Sequence, residues 1–184
     1  SRGNSLALGS RCNGRMGLTL VPLCSAGEYD HEVRRLFTAT VMMGVPAGHD
    51  IVCFGWYEHV CLDWYLSTGR RHAAVVVDDA EDAVVGYALM CADERSFNRW
   101  TSRAIGRTAA VVVWKLVTGR LDRRSIAFWW QRTRDAVELR RGHAQPPARA
   151  HVHMNVRAGN RSGGASLRLL AFLDECAVAA GEPR

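Results

Sequence analysis

His151, His153 and Asn155 occupy every second position of the run His151-Val152-His153-Met154-Asn155-Val156, and a Gly-rich stretch, Gly159-Asn160-Arg161-Ser162-Gly163-Gly164, follows at once. An imidazole titrates near neutral pH and takes a proton from a reacting group, so His153 is the candidate general base, while the Asn155 carboxamide could orient a substrate amine. The alternation predicts a strand with Val152, Met154 and Val156 toward the core and the two histidines and Asn155 on the other face. Past the glycines, Leu169, Leu170, Leu173, Ala177 and Ala180 recur at steps of three and four, which predicts a helix beginning between Ser162 and Ser166. The first-turn N–H groups of such a helix lack intrahelical partners. With the helix dipole and Arg161 they form an anion site that paired glycines leave open to phosphate oxygens.

The stretch has no Gly-Lys-Ser/Thr ending and no three-glycine dinucleotide fingerprint, which argues against nucleoside triphosphate and nicotinamide ligands. Arg161-Ser162-Gly163-Gly164-Ala165-Ser166 resembles the Arg/Gln-x-x-Gly-x-Gly/Ala pyrophosphate turn of the GNAT superfamily of N-acetyltransferases, with serine at the last small position. The preceding His-hydrophobic-His strand is similar to that of some members, as is the Val85-Gly86-Tyr87 step of an earlier β-rich run. The resemblance implies an α/β fold with a mixed, largely antiparallel sheet flanked by helices. It also implies transfer of an acetyl group from acetyl-CoA to a primary amine by direct attack in a ternary complex. By position, Val156 and Arg157 would meet the pantetheine and carbonyl region, and Arg161, Ser162, Gly163, Gly164, Ala165 and Ser166 would cradle the pyrophosphate. A backbone N–H near Val156 would stabilise the oxyanion. Members with this strand often carry a carboxylate where Asn155 stands. The family also continues past the phosphate-binding helix with a strand, a helix and a closing strand, for which the sequence to Arg184 has no counterpart; that makes association with another chain an expectation.

Elements that must position these residues follow from periodicity. Leu18 to Leu23 reads as a short strand, Glu32 to Met43 as a helix, and Ile51 to Leu66 as a second apolar helix with Trp56, Val60 and Trp64 on one side. Ala73 to Val77 and Val84 to Cys91 read as a hairpin around the acidic tip Asp78-Asp79-Ala80-Glu81-Asp82. Residues 92–148 then read as an insertion of two helices, one through Ile105, Ala109, Val112 and Leu116, the other through Ile126, Trp129, Trp130, Thr133 and Val137, expected to form a helical hairpin or lid. Between Arg95 and Arg149 lie thirteen basic residues and three acidic ones, a net charge of +10 in a chain whose total is +6. Clustered arginines bind phosphate through paired hydrogen bonds, and the interleaved Trp100, Trp114, Trp129 and Trp130 could stack bases. Solvated outer faces of two amphipathic helices explain the same charges.

The chain has 184 residues, 48% of them hydrophobic, a length that predicts a single domain over 18–184 behind a flexible tail at 1–17. Six cysteines, Cys12, Cys24, Cys53, Cys61, Cys91 and Cys176, form no Cys-x-x-Cys pair, a pattern that suits a reducing cytoplasm. No apolar run long enough to span a bilayer occurs, and no membrane partner is expected. His151-x-His153 has no third metal ligand at useful spacing, so no metal is expected. Cys91 and Cys176 have no sequence-adjacent base, and no Gly-x-Ser-x-Gly elbow occurs, which disfavours thiol and serine nucleophiles. The competing expectation from another class is a noncatalytic or truncated module that holds nucleic acid or an acidic partner through the arginine-rich insertion.

Overall fold

The computed structural model describes residues 17–23, 27–41, 50–141, 151–160 and 164–181. The expected tail, except its last residue Gly17, and Pro146-Pro147 lie outside them. Four strands, β1 (Leu18–Pro22), β2 (Ala73–Asp78), β3 (Ala83–Cys91) and β4 (His151–Val156), form one sheet in the order β1-β2-β3-β4, and all three pairings are antiparallel. Five helices accompany them: α1 (Asp30–Thr40), α2 (Phe54–Leu66), α3 (Glu94–Val117), α4 (Arg123–Arg141) and α5 (Ala165–Ala179). The architecture is α/β with an antiparallel sheet.

β2 and β3 occupy the centre, and their runs of valine, alanine and leucine are buried on both faces. Alternate side chains divide between two cores. Ala73, Val75, Val77, Tyr87, Leu89 and Cys91 join Val33, Phe37, Leu62, Trp64 and Tyr65 of α1 and α2. Ala74, Val76, Val85, Ala88 and Met90 join Val156 and the Ala165, Leu169, Phe172, Leu173 and Cys176 stripe of α5. The sheet is therefore sandwiched, with α1 and α2 on one side and α5 on the other, as burial of both faces requires. Gly86 marks the closest approach: a Cβ there would stand 3.1 Å from Leu169 and 3.2 Å from Val156. The register shifts between Val76 and Val77, where Val85 is the extra residue of a β-bulge. Asp82 closes the β2–β3 turn in the left-handed region at φ 47°, a conformation that aspartate tolerates better than most side chains.

Helix α1 is tied to α2 by Arg34, which pairs with Glu58 at 2.7 Å and Asp63 at 2.6 Å. Asp93 starts α3 by accepting the Ser96 N–H, and Asp122 accepts from both the N–H and the hydroxyl of Ser125 at the start of α4. Phe97, Trp100 and Ala104 lay α3 against α2 and its neighbours. Phe128 of α4 enters the first core beside Phe54 and Tyr57, the Trp129 indole N–H donates to the Val52 carbonyl, and the Ser125 hydroxyl accepts the Val52 N–H. The expected helical hairpin is corrected in one respect. Both helices form, but each docks on the body and they do not pack along one another. Helical periodicity specifies a buried face and leaves its partner open.

Candidate functional site

β4 is an edge strand. Its register with β3 pairs His151 with Cys91, His153 with Leu89, Asn155 with Tyr87 and Val156 with Gly86. The Arg157 N–H donates to the Val85 carbonyl at 2.8 Å. Antiparallel ladders alternate, so backbone groups of His151, His153 and Asn155 point to β3, and those of Val152 and Met154 point to the outer edge. Among the described residues no strand pairs with that edge.

His151, His153 and Asn155 share the sheet face covered by α1, α2 and the start of α3. His153 lies edge-on to Phe37 at 5.7 Å and Tyr87 at 5.6 Å, and His151 to Phe97 at 4.3 Å and Tyr65 at 6.1 Å. Desolvation by burial holds the His153 imidazole below its ordinary value, and the neighbouring His151 lowers it further; His151 itself is lowered by burial against an opposing pull from Glu94. Asn155 donates its amide N–H to the Tyr87 hydroxyl at 2.6 Å, and burial pushes that phenol up. The sequence alone did not mark Tyr87 or Phe37 as site residues. Only strand register brings Tyr87 opposite Asn155, and only the packing of α1 brings Phe37 onto His153. The expected core face of β4 is corrected at one position: Val156 is buried and Met154 packs on the α5 core, but Val152 is 49% exposed. It lies near the N-terminal end of this edge strand.

At its other end β4 leads through Arg157 into a one-turn helix at Ala158–Asn160 and then toward α5. The Arg157 N–H is bonded to Val85, its carbonyl accepts from the Asn160 N–H, and its guanidinium pairs with Glu81 at 2.8 Å, so Arg157 fastens the strand end to the β2–β3 turn. Arg161, Ser162 and Gly163 lie outside the described residues. Gly164 precedes α5, whose first turn has no acidic residue and, among the described residues, no side-chain cap. Ala165 is fully buried, backbone included, whereas Ser166 is half-buried. Gly164 has φ −37°, and an added Cβ would meet nothing within 4 Å. Neither conformation nor packing in the fold demands glycine there. The α5 N-terminus thus lies on the side of the sheet that Val156 faces, and the histidines lie on the opposite side, under α1 and α2.

Two polar groups beside the first core went unmarked by sequence spacing. Tyr57, Cys61 and Arg132 cluster where α2 meets α4; burial raises Tyr57 to about 12 and Cys61 to about 11, which keeps both protonated and unreactive near neutral pH. His59 Nδ1 lies 2.5 Å from Asp63, one helical turn away on α2, and Asp63 also holds Arg34. Burial likewise raises Cys91 to about 11 and keeps Cys176 above its ordinary value. Among the described residues no group of three histidine, cysteine, aspartate or glutamate side chains is placed to hold a metal ion. Comparison with protein-family models and with curated proteins finds no match to the chain.

Proposed function

We propose that the chain is an acetyl-CoA-dependent N-acetyltransferase of GNAT type. One juxtaposition carries this reading: the outer edge of β4, which no described strand joins, precedes the N-terminus of α5 at a glycine that the fold does not itself require. A pantetheine arm is an extended chain of amides and could add to the outer edge as a further strand, while the pyrophosphate meets the N–H groups that open α5. Acetyl-CoA is the cosubstrate, and no metal enters the reaction. A four-stranded order with α1 and α2 before the central hairpin and a helix after β4 is compatible with the same family, and the sheet is wholly antiparallel where a mixed one was expected.

In this mechanism a neutral primary amine attacks the thioester carbonyl carbon. A C–N bond forms, the carbonyl oxygen gains charge, and collapse of the tetrahedral species breaks the C–S bond to release the coenzyme thiolate. The amine proton passes to His153, whose depressed basicity keeps it neutral and able to accept at neutral pH, and the thiolate takes up a proton from solvent. Asn155, fixed by Tyr87, presents its carbonyl oxygen to the incoming amine. Cys61 and Cys91 are held as thiols, which favours direct transfer over a cysteine-linked intermediate.

The deciding experiment is thermal unfolding with acetyl-CoA, in parallel with Gly164→Glu. The new side chain has room, and a carboxylate at a helix N-terminus favours the helix, so the variant should fold as well as the parent. A ligand that binds only the folded state raises apparent stability by mass action. A saturable rise in the parent, lost in Gly164→Glu, supports the reading; no rise in a folded parent chain overturns it.

A further inference from the structure

Among the described residues twelve large hydrophobic side chains are exposed, and eight of them belong to α3 and α4: Ile105, Val113, Trp114, Leu116, Val117, Ile126, Trp130 and Val137. This concentration differs from the scattered apolar residues of an ordinary surface. Val117 is 71% exposed, Trp130 67% and Trp114 60%. With 24 residues α3 is nearly twice as long as the 13-residue α2 on which it packs. Ala104 and Thr108 are its buried positions, so its outward face carries Gly106, Ala109, Ala110, Val113 and Val117. Arg99, Arg103 and Arg107 follow at steps of four along one border of that face. The outward surface therefore grades from basic to wholly apolar along the helix. Among the described residues Arg99, Arg103, Arg107, Arg120 and Arg123 have no ion-pair partner, in contrast to Arg124, Arg132 and Arg134.

We infer that the outward face of α3 docks on an anionic lipid bilayer. The charge and the apolar area together select this occupant. Lipid phosphates offset exposed arginines, the acyl boundary takes up valine and leucine, and tryptophan settles at the level of the headgroups. A nucleic acid would satisfy the arginines but offer nothing to Val113, Leu116 and Val117. A second copy would cover the apolar face but set one arginine row against another, since Glu94 is the only acidic residue of α3. No helix among the described residues is long and apolar enough to cross a membrane, and the docking is interfacial, with the C-terminal turns of α3 entering obliquely. This surface is separate from the β4–α5 region and stands whether or not acetyl-CoA binds there.

Flotation of the full chain with phosphatidylcholine vesicles, with and without phosphatidylglycerol, tests the inference. Two double variants accompany it: Trp114→Ser with Val117→Ser, and Arg103→Glu with Arg107→Glu. All four positions are exposed, so circular dichroism and thermal unfolding should match the parent chain. The parent should partition onto phosphatidylglycerol vesicles, with a blue shift of tryptophan emission, and much less onto phosphatidylcholine alone. Each double variant should lower partition about tenfold, and raised salt should weaken the parent's binding. No partition of the parent overturns the inference, as does partition unchanged in the Trp114/Val117 variant. A stable dimer in solution that this variant dissociates assigns the face to a second copy and also overturns it. Salt-sensitive RNA binding without vesicle binding does the same in favour of nucleic acid.

Discussion

His153 shows how one side chain's surroundings fix both its chemistry and its share of stability. Phe37 and Tyr87 enclose its ring and provide no counter-charge, so the charged form is penalised and the imidazole stays neutral below its ordinary value of 6.5. The group is charged more readily in the unfolded chain than in the folded one. Its stabilising contribution is therefore present above the unfolded value and is lost as pH falls below it toward the folded value. His151 acts in the same direction. Thermal unfolding between neutral and mildly acidic pH should show a falling midpoint, with a shallower fall in His153→Gln. A nuclear magnetic resonance titration should place the His153 midpoint below 6.5. A midpoint above that value would mean that a carboxylate or ligand, not burial, governs the ring, and would remove the basis for a neutral base at working pH. The imidazoles themselves were legible in sequence through their alternation; their aromatic surroundings were not, because Phe37 and Tyr87 reach them only through tertiary packing.

At the scale of elements, glycine separates positions where packing is tight from positions where it is not. In β3, Gly86 lies beneath α5, where a larger side chain would press on Leu169, Val156 and the Asn155 carbonyl. Gly86→Val should destabilise the chain by about 1–3 kcal/mol in urea unfolding, the usual cost of overfilling a packed site. Gly106 lies on the exposed side of α3 with nothing within 4 Å of an added Cβ, so Gly106→Ala should stabilise by about 0.5–1 kcal/mol through helix propensity alone. A cost at Gly106 equal to that at Gly86 would contradict this assignment of faces. The same contrast explains what sequence periodicity could supply. The valine-rich β2 and β3 and the Leu169-to-Ala177 stripe of α5 declare themselves locally, and both insertion helices were legible through their spacing. Where α3 and α4 dock was not, because that depends on contacts such as Trp129 with Val52 and Phe128 with Phe54, separated by more than seventy residues. Val152 departs from the pattern for a related reason: strand alternation says which way a side chain points, not whether anything covers it.

For the whole molecule, β2 and β3 contribute side chains to both cores, so they should be the last elements to open. Their residues are buried on both faces, while the C-terminal turns of α3 are exposed and touch little of the body. Native-state hydrogen exchange should accordingly show β2 and β3 amides exchanging only with global unfolding, and those of Val113 to Val117 through local opening. The β4 ladder sharpens this into a test of ligand placement. Amides of His153 and Asn155 are directed to β3, so acetyl-CoA should change their exchange little. Those of Val152 and Met154 face the outer edge and should exchange fast in the free chain, then slow when a pantetheine arm pairs along that edge. Protection confined to alternate residues of one strand is a signature that general stabilisation cannot produce, since general stabilisation slows the globally exchanging amides of β2 and β3 instead. If acetyl-CoA slows exchange only in α3 and α4, the basic surface is binding its phosphates nonspecifically, and the cofactor role assigned to β4 and α5 falls.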